Sequence, residues 1–86
     1  MKLIFCSTCQ DVRALSWELR RCSCGEAWGY YRDDRINAVI GGGAIPLGFG
    51  NTTFTDAVKN RSNEGMGAKF EAFVIPVQCG SVVDEG

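Results

Sequence analysis

Four cysteines carry the clearest chemistry in this chain: Cys6-x2-Cys9, twelve intervening residues, then Cys22-x-Cys24. A Cys-x-x-Cys turn points two sulfurs at one ion, and a chain that doubles back brings the second pair to the same place. Zinc suits four thiolates because it is tetrahedral, borderline-soft and closed-shell. There is no histidine in the chain, so the donor set is all-cysteine. Four protein ligands leave no position for water, which points to a structural ion rather than to hydrolysis. Iron fits the same cage. The other readings of the cysteines are a disulfide, buried free thiols or a redox pair, and the redox motif is expected beside a βαβ pattern that this chain lacks. Cys22-Ser23-Cys24 is tighter than the usual two-residue gap, and Gly25 beside it permits the positive φ of a tight turn. With zinc bound, folding and metal binding are one event, about 10–16 kcal/mol in comparable peptides.

A second candidate is the glycine-rich stretch from residue 41 to 50, which precedes an expected helix start. Glycines let a backbone approach a ligand closely, and free amides at a helix N-terminus attract anions. Gly42, Gly43, Gly48, Asn51, Thr52 and Thr53 are thus candidates to cradle a phosphate or carboxylate. Arg32, Arg35 or Lys69 would supply countercharge, and Tyr30, Tyr31 or Phe49 a stacking face. There is no Walker lysine and the glycine spacing misses the dinucleotide fingerprint. The plainer reading is that these glycines shape a bulge and a tight turn while Leu47 and Phe49 fill the core.

Other chemistry is sparse. Arg20 and Arg21 with Trp17 and Trp28 could form a basic-aromatic patch for single-stranded nucleic acid, or the tryptophans pack over the metal turns and the arginines are solvated. Cys79 is the odd thiol, and without a histidine to activate it a spectator role is expected. Asp33 and Asp34, being adjacent, point to opposite faces if they lie on a strand. Nine basic residues oppose ten acidic ones for a formal charge of −1. Four thiolates around a divalent ion add a further −2, giving about −3. Non-specific nucleic-acid binding draws on clustered positive charge, which this balance does not offer overall. The expectation is a non-enzymatic binding protein that docks on a protein partner. A binder of a small phosphate-bearing ligand, a metabolite or nucleotide, is the alternative, and a nucleic-acid-binding domain is third.

The elements that position these residues follow from pattern. Residues 3–5 read as a strand entering the first turn. Residues 12–15 and 18–21 read as the two arms of a hairpin, 27–31 as an aromatic third strand and 36–40 as a fourth. Glycine density from 41 to 50 excludes helix and predicts a loop or bulged strand. Asn51, Thr52 and Thr53 are candidate caps for a helix over 54–61. Residues 62–67 read as a loop and 69–77 as the best strand, edged by Pro76. The expected class is a small β-rich α+β fold: an N-terminal zinc ribbon packed on a small antiparallel sheet with one short helix. It forms a single domain over 1–86, with a ribbon lobe at 2–31 and a second lobe at 32–86.

Cys6-Ser-Thr-Cys9 with Cys22-Ser-Cys24-Gly25 resembles the paired knuckles of zinc-ribbon domains, over about a third of the chain. The whole chain more loosely resembles short uncharacterised proteins of bacteria and their phages, which implies an accessory factor. Ribbons serve many kinds of protein, so the resemblance implies a scaffold and no single task. Apolar residues make up 45% and charged residues 22%, an ordinary globular balance. At 86 residues such a chain often needs a staple. No apolar run approaches the roughly 18–20 residues of a membrane span, and the start lacks the apolar stretch of a secretory signal. A cytoplasmic, reducing location is therefore expected, where cysteine clusters favour metal.

Overall fold

The computed structural model describes residues 1–34 and 36–86; Arg35, one of the candidate anion ligands, lies outside the described residues. The elements are β1 (Lys2–Phe5), β2 (Val12–Ala14), β3 (Arg20–Arg21), β4 (Trp28–Tyr31), β5 (Ala38–Gly41), β6 (Ile45–Phe49), α1 (Asn51–Lys59), β7 (Ala72–Val74) and β8 (Val82–Asp84). They build two four-stranded sheets, ordered β2-β1-β6-β7 and β3-β4-β5-β8. The fold is the β-rich α+β class expected, with one short helix and an N-terminal cysteine cluster consistent with a zinc ribbon. All pairings are antiparallel except that of β5 with β8, which is parallel.

Strand pairing differs from the sequence reading at one instructive point. The segments 12–15 and 18–21 are not two arms of one hairpin. β2 folds back on β1, with Leu3 opposite Ala14 and Phe5 opposite Val12, whereas β3 pairs forward with β4. Each cysteine pair therefore sits in the turn of its own hairpin, and the chain between β2 and β3 crosses from one sheet to the other. Both sheets then grow by strands from later in the chain, β6 and β7 on one and β5 and β8 on the other.

The period-2 alternation of strands gives each sheet an inner and an outer face. The inner faces meet in one cluster: Ile4, Cys6 and Ala44 from the first sheet and its turns, against Ala27, Ala38 and Ile40 from the second, with Leu15 and Cys22. The core is thus small, and two of its members are cysteines that also face the cluster site. On the outer face of the first sheet, Phe49 meets Phe54 of α1 and Phe70, with ring centroids 4.9–5.3 Å apart. This aromatic triad fixes the helix to the sheet, since α1 itself has no buried residue.

The glycine-rich stretch is mostly strand. β6 occupies an interior place in its sheet although it contains Pro46 and Gly48. Pro46 pairs with Ile4, and its carbonyl accepts the Ile75 amide at 2.9 Å. The amide that proline lacks would face Ile75, just beyond the end of β7, so one terminal ladder bond is lost and no more. Gly48 is required by contact: a Cβ there would lie 2.5 Å from the Phe73 ring.

The helix begins three residues earlier than expected. Its N-cap is Gly50, without a side-chain cap, so Asn51, Thr52 and Thr53 form its first turn rather than capping it. Thr53 instead ties the helix to the chain ahead of β7, donating to the Gly50 carbonyl at 3.0 Å and accepting the Glu71 amide at 3.0 Å. The long strand expected over 69–77 shortens to β7, because only residues next to β6 find ladder partners.

Candidate metal centre

The two hairpin turns are built alike. In the first, the Cys6 amide donates to the Asp11 carbonyl at 3.0 Å and the Gln10 amide to the Cys6 carbonyl at 2.7 Å. In the second, the Cys22 amide donates to the Ala27 carbonyl at 3.0 Å and the Gly25 amide to the Cys22 carbonyl at 2.9 Å. The outer bond closes a turn of the same length in both, although the cysteine spacing differs by one residue. In both, the residue after the second cysteine adopts positive φ, +60° at Gln10 and +81° at Gly25. The short Cys-x-Cys gap is thus absorbed by moving the left-handed residue one place earlier. Glycine does this without strain, while Gln10 takes a conformation that costs an L-residue roughly 1–2 kcal/mol.

These turns bring the Cys6, Cys9, Cys22 and Cys24 sulfurs within 4.8 Å of one another. Cys6 and Cys22 are buried, Cys9 half-buried and Cys24 exposed. Four sulfurs about 2.3 Å from a central ion define a tetrahedron with edges of about 3.8 Å. The Cys6–Cys24 separation is 3.7 Å and the Cys22–Cys24 separation 3.3 Å. The donor set therefore fits one tetrahedral ion, the coarse feature expected of a ribbon. Cys79 stands outside the cluster, its thiol 3.3 Å from the Ser81 hydroxyl, which draws its pKa below the ordinary thiol value.

The electrostatics also suit a cation. Burial pushes the Cys22 thiol up, but the Ala27 amide, donating at 3.3 Å, and the thiols of Cys24, Cys6 and Cys9 outweigh it and bring it down to about 6. The Cys24 amide, with that of Asp11, likewise draws Cys9 down. At Cys24 the Glu26 amide pulls down, yet the three neighbouring thiols and burial push it up to about 12. One sulfur is thus readily a thiolate and the last is strongly opposed, because it would stand among negative neighbours. A bound divalent ion removes that opposition and lets all four ionise.

Two ties lock the turns together, and neither was apparent from metal-ligand chemistry. Asp11 Oδ2 accepts from the amide and the hydroxyl of Ser23, both at 2.9 Å, and from Arg13 Nε at 2.7 Å. Thr8 Oγ1 donates to Glu26 Oε2 at 2.9 Å. The arrangement is reciprocal: an acid two residues beyond each cysteine pair reaches a hydroxyl residue inside the other pair. That repeated spacing is the signal in the sequence that points to it. Arg13, then Ser23, holds the Asp11 carboxyl below the ordinary range.

The candidate anion residues fall in two places. Gly42 and Gly43 form the β5–β6 turn at positive φ, +65° and +75°. A Cβ at Gly42 would sit 1.7 Å from the Glu26 carbonyl oxygen, so this glycine lets the turn lie against the second knuckle. Asn51, Thr52 and Thr53 open α1 at the other end of β6, and Gly48 lies in the strand between under Phe73. β6 separates the two groups by about 17 Å at the usual rise per strand residue, beyond the reach of a single phosphate. Asn51 Oδ1 accepts the Met1 amino group at 2.6 Å.

Comparison of the chain with protein-family models, curated proteins and solved structures gives no match. No helix among the described residues is long and apolar enough to cross a membrane. What the site defines is a cluster of four cysteines, at metal-binding distance from one another, between two sheets.

Proposed function

We propose that this chain is a zinc-stapled, non-enzymatic interaction module, an accessory factor that docks on a protein partner. Zinc is the reading that the closed all-thiolate donor set favours, since such a set builds scaffolds rather than opens a coordination position. The observation that carries the docking role is the β7 edge of the first sheet. β7 ends that sheet and all three of its residues are exposed. The Glu71 carbonyl and the Ile75 amide bond towards β6, so by alternation the amides and carbonyls of Ala72 and Val74 point away from the sheet. Val74 and Val77 lie beside this edge at 65% and 101% exposure. Such an edge is a template for an added strand, with backbone bonds giving affinity and apolar side chains giving register.

Val74→Pro removes an outward amide without touching the bonds to β6. Affinity capture from the native host with the parent and with Val74→Pro, both metal-loaded, tests the reading. A protein retained by the parent and lost from the variant is expected. Equal retention by both proteins overturns the edge as the docking site.

A further inference from the structure

The outer faces of the two sheets differ, and the uncovered one is chemically specific. The first is covered by α1 through the Phe49–Phe54–Phe70 triad. Over the second, no helix or strand lies among the described residues. Its outer face carries alternate residues of β4, Trp28 and Tyr30, with Arg21 directly across from Trp28 on β3 and Val39 across from Tyr30 on β5. Arg32 continues the same alternation, because its amide donates to the Asn37 carbonyl at 2.8 Å and extends the ladder by one pair. The inner face, by contrast, holds Tyr31, Ala38 and Ile40 of the core.

Trp28 reaches over Gly41, where a Cβ would lie 2.1 Å from the indole, so the glycine is the seat that admits the ring. The Tyr30 ring is nearly parallel to the indole, 12° apart in plane with centroids 6.4 Å apart. Val39 is only 1% exposed although it faces outward, so the rings and their neighbours close over it. The result is an aromatic stripe on the sheet surface, continued along β4 by Arg32 and flanked at Trp28 by the Arg21 guanidinium, whose Nη1 also donates to the Gly25 carbonyl at 3.1 Å. Acidic residues, Asp84 and Glu85, gather at the opposite β8 edge.

We infer that this face binds single-stranded nucleic acid, stacking bases on Trp28 and Tyr30 while Arg21 and Arg32 meet flanking phosphates. Flat aromatics on an exposed sheet are how sheet platforms take unpaired bases, and every base has a π-face, so little sequence preference follows. The charge argues for this occupant over a neutral sugar chain, which would stack on the rings but gain nothing from the arginines. This surface is separate from the β7 edge, so the two readings stand or fall independently.

The test uses the full, zinc-loaded chain carrying Trp17→Phe, which leaves Trp28 as the only tryptophan. Its fluorescence is titrated with octathymidylate, octauridylate and xylohexaose. Saturable quenching by the oligonucleotides is expected, with none from the sugar. Affinity should fall with salt at a log–log slope of about −1.4 for two phosphate contacts. Tyr30→Ala should weaken binding roughly tenfold to a hundredfold, and Tyr30→Phe should retain it. Because Tyr30→Ala can disturb the sheet, Arg21→Gln with Arg32→Gln is the second variant; both sites are exposed, and since Arg21 also bonds the Gly25 carbonyl of the second knuckle, metal content checks the fold. That pair should abolish most of the salt slope. No quenching, equal quenching by the sugar, or binding indifferent to the arginine pair overturns the inference.

Discussion

The knuckle end of the molecule and the helix–loop end, residues 51–74, are stabilised by different means. At the knuckle end, Cys6, Cys22, Ala27, Ala38 and Ile40 are buried, and hydrogen bonds cross between hairpins at Asp11–Ser23 and Thr8–Glu26. At the other end no residue from 51 to 74 is buried, and α1 is held by one aromatic triad and the Thr53 bridge. The core between the sheets is too small to be generous to both. The difference teaches that burial in this chain is concentrated around the four-cysteine cluster, so an ion held there would form one cooperative unit with the core. The helix is an appendage whose local opening costs little.

The largest expected effect separates the two ends directly. Chelation should open the amides of both cysteine hairpins and of β5 to hydrogen exchange, because structural metal binding is worth about 10–16 kcal/mol in comparable domains. Amides of α1 should already exchange quickly and change least. Uniform protection loss along the chain would break the comparison.

Glycine substitutions sharpen it next. Gly42→Ala places a methyl against the Glu26 carbonyl at 1.7 Å and demands positive φ. It should cost about 3 kcal/mol or more from overpacking and backbone strain together. Gly65, in the helix–loop end, also has positive φ, +90°, but nothing lies within 4 Å of its would-be Cβ. Gly65→Ala should cost only about 1 kcal/mol, and chemical denaturation of the two metal-loaded variants compares them. Similar losses would mean that the knuckle is no more tightly packed than the loop.

The cross-tie at Asp11 supports the ligands from outside. Asp11→Asn weakens the bonds to Ser23 and Arg13 and should lower metal affinity roughly tenfold, the low end for outer-shell partners; competition with a chromophoric chelator reads it. The pH dependence has a definite sign. Because the folded Asp11 pKa is depressed, its contribution is present above the ordinary carboxylate value and is lost as pH falls through the folded one. The parent–variant difference should therefore vanish in acid rather than in base. The smallest effect is a gain: Gln10→Gly relieves the left-handed strain of the first knuckle and should stabilise by about 1 kcal/mol, seen as a higher denaturation midpoint.

Much of this contrast is legible in the sequence because ligand chemistry is local. The four cysteines, the strands at 3–5 and 27–31 and the aromatic character of β4 follow from residue type and spacing. Pairing does not. The segments 12–15 and 18–21 read as partners because they are near in sequence, yet each pairs instead with the strand across its own cysteine turn. β6 reads only as a loop or bulged strand because Pro46 and Gly48 carry the wrong local propensity, and tertiary contacts with Phe73 and Ile75 make it a regular one. β8 is hidden because three residues at the end of a polar segment show no period, and only the parallel neighbour β5 makes them a strand.

Native mass spectrometry of the purified chain, with and without Cys22→Ser, tests the central claim most directly. The account predicts one zinc ion per parent chain, and no stably held ion in the variant. A parent chain that carries no metal when purified without chelator and fails to take up zinc, or a variant that holds it equally well, would contradict the four-cysteine centre.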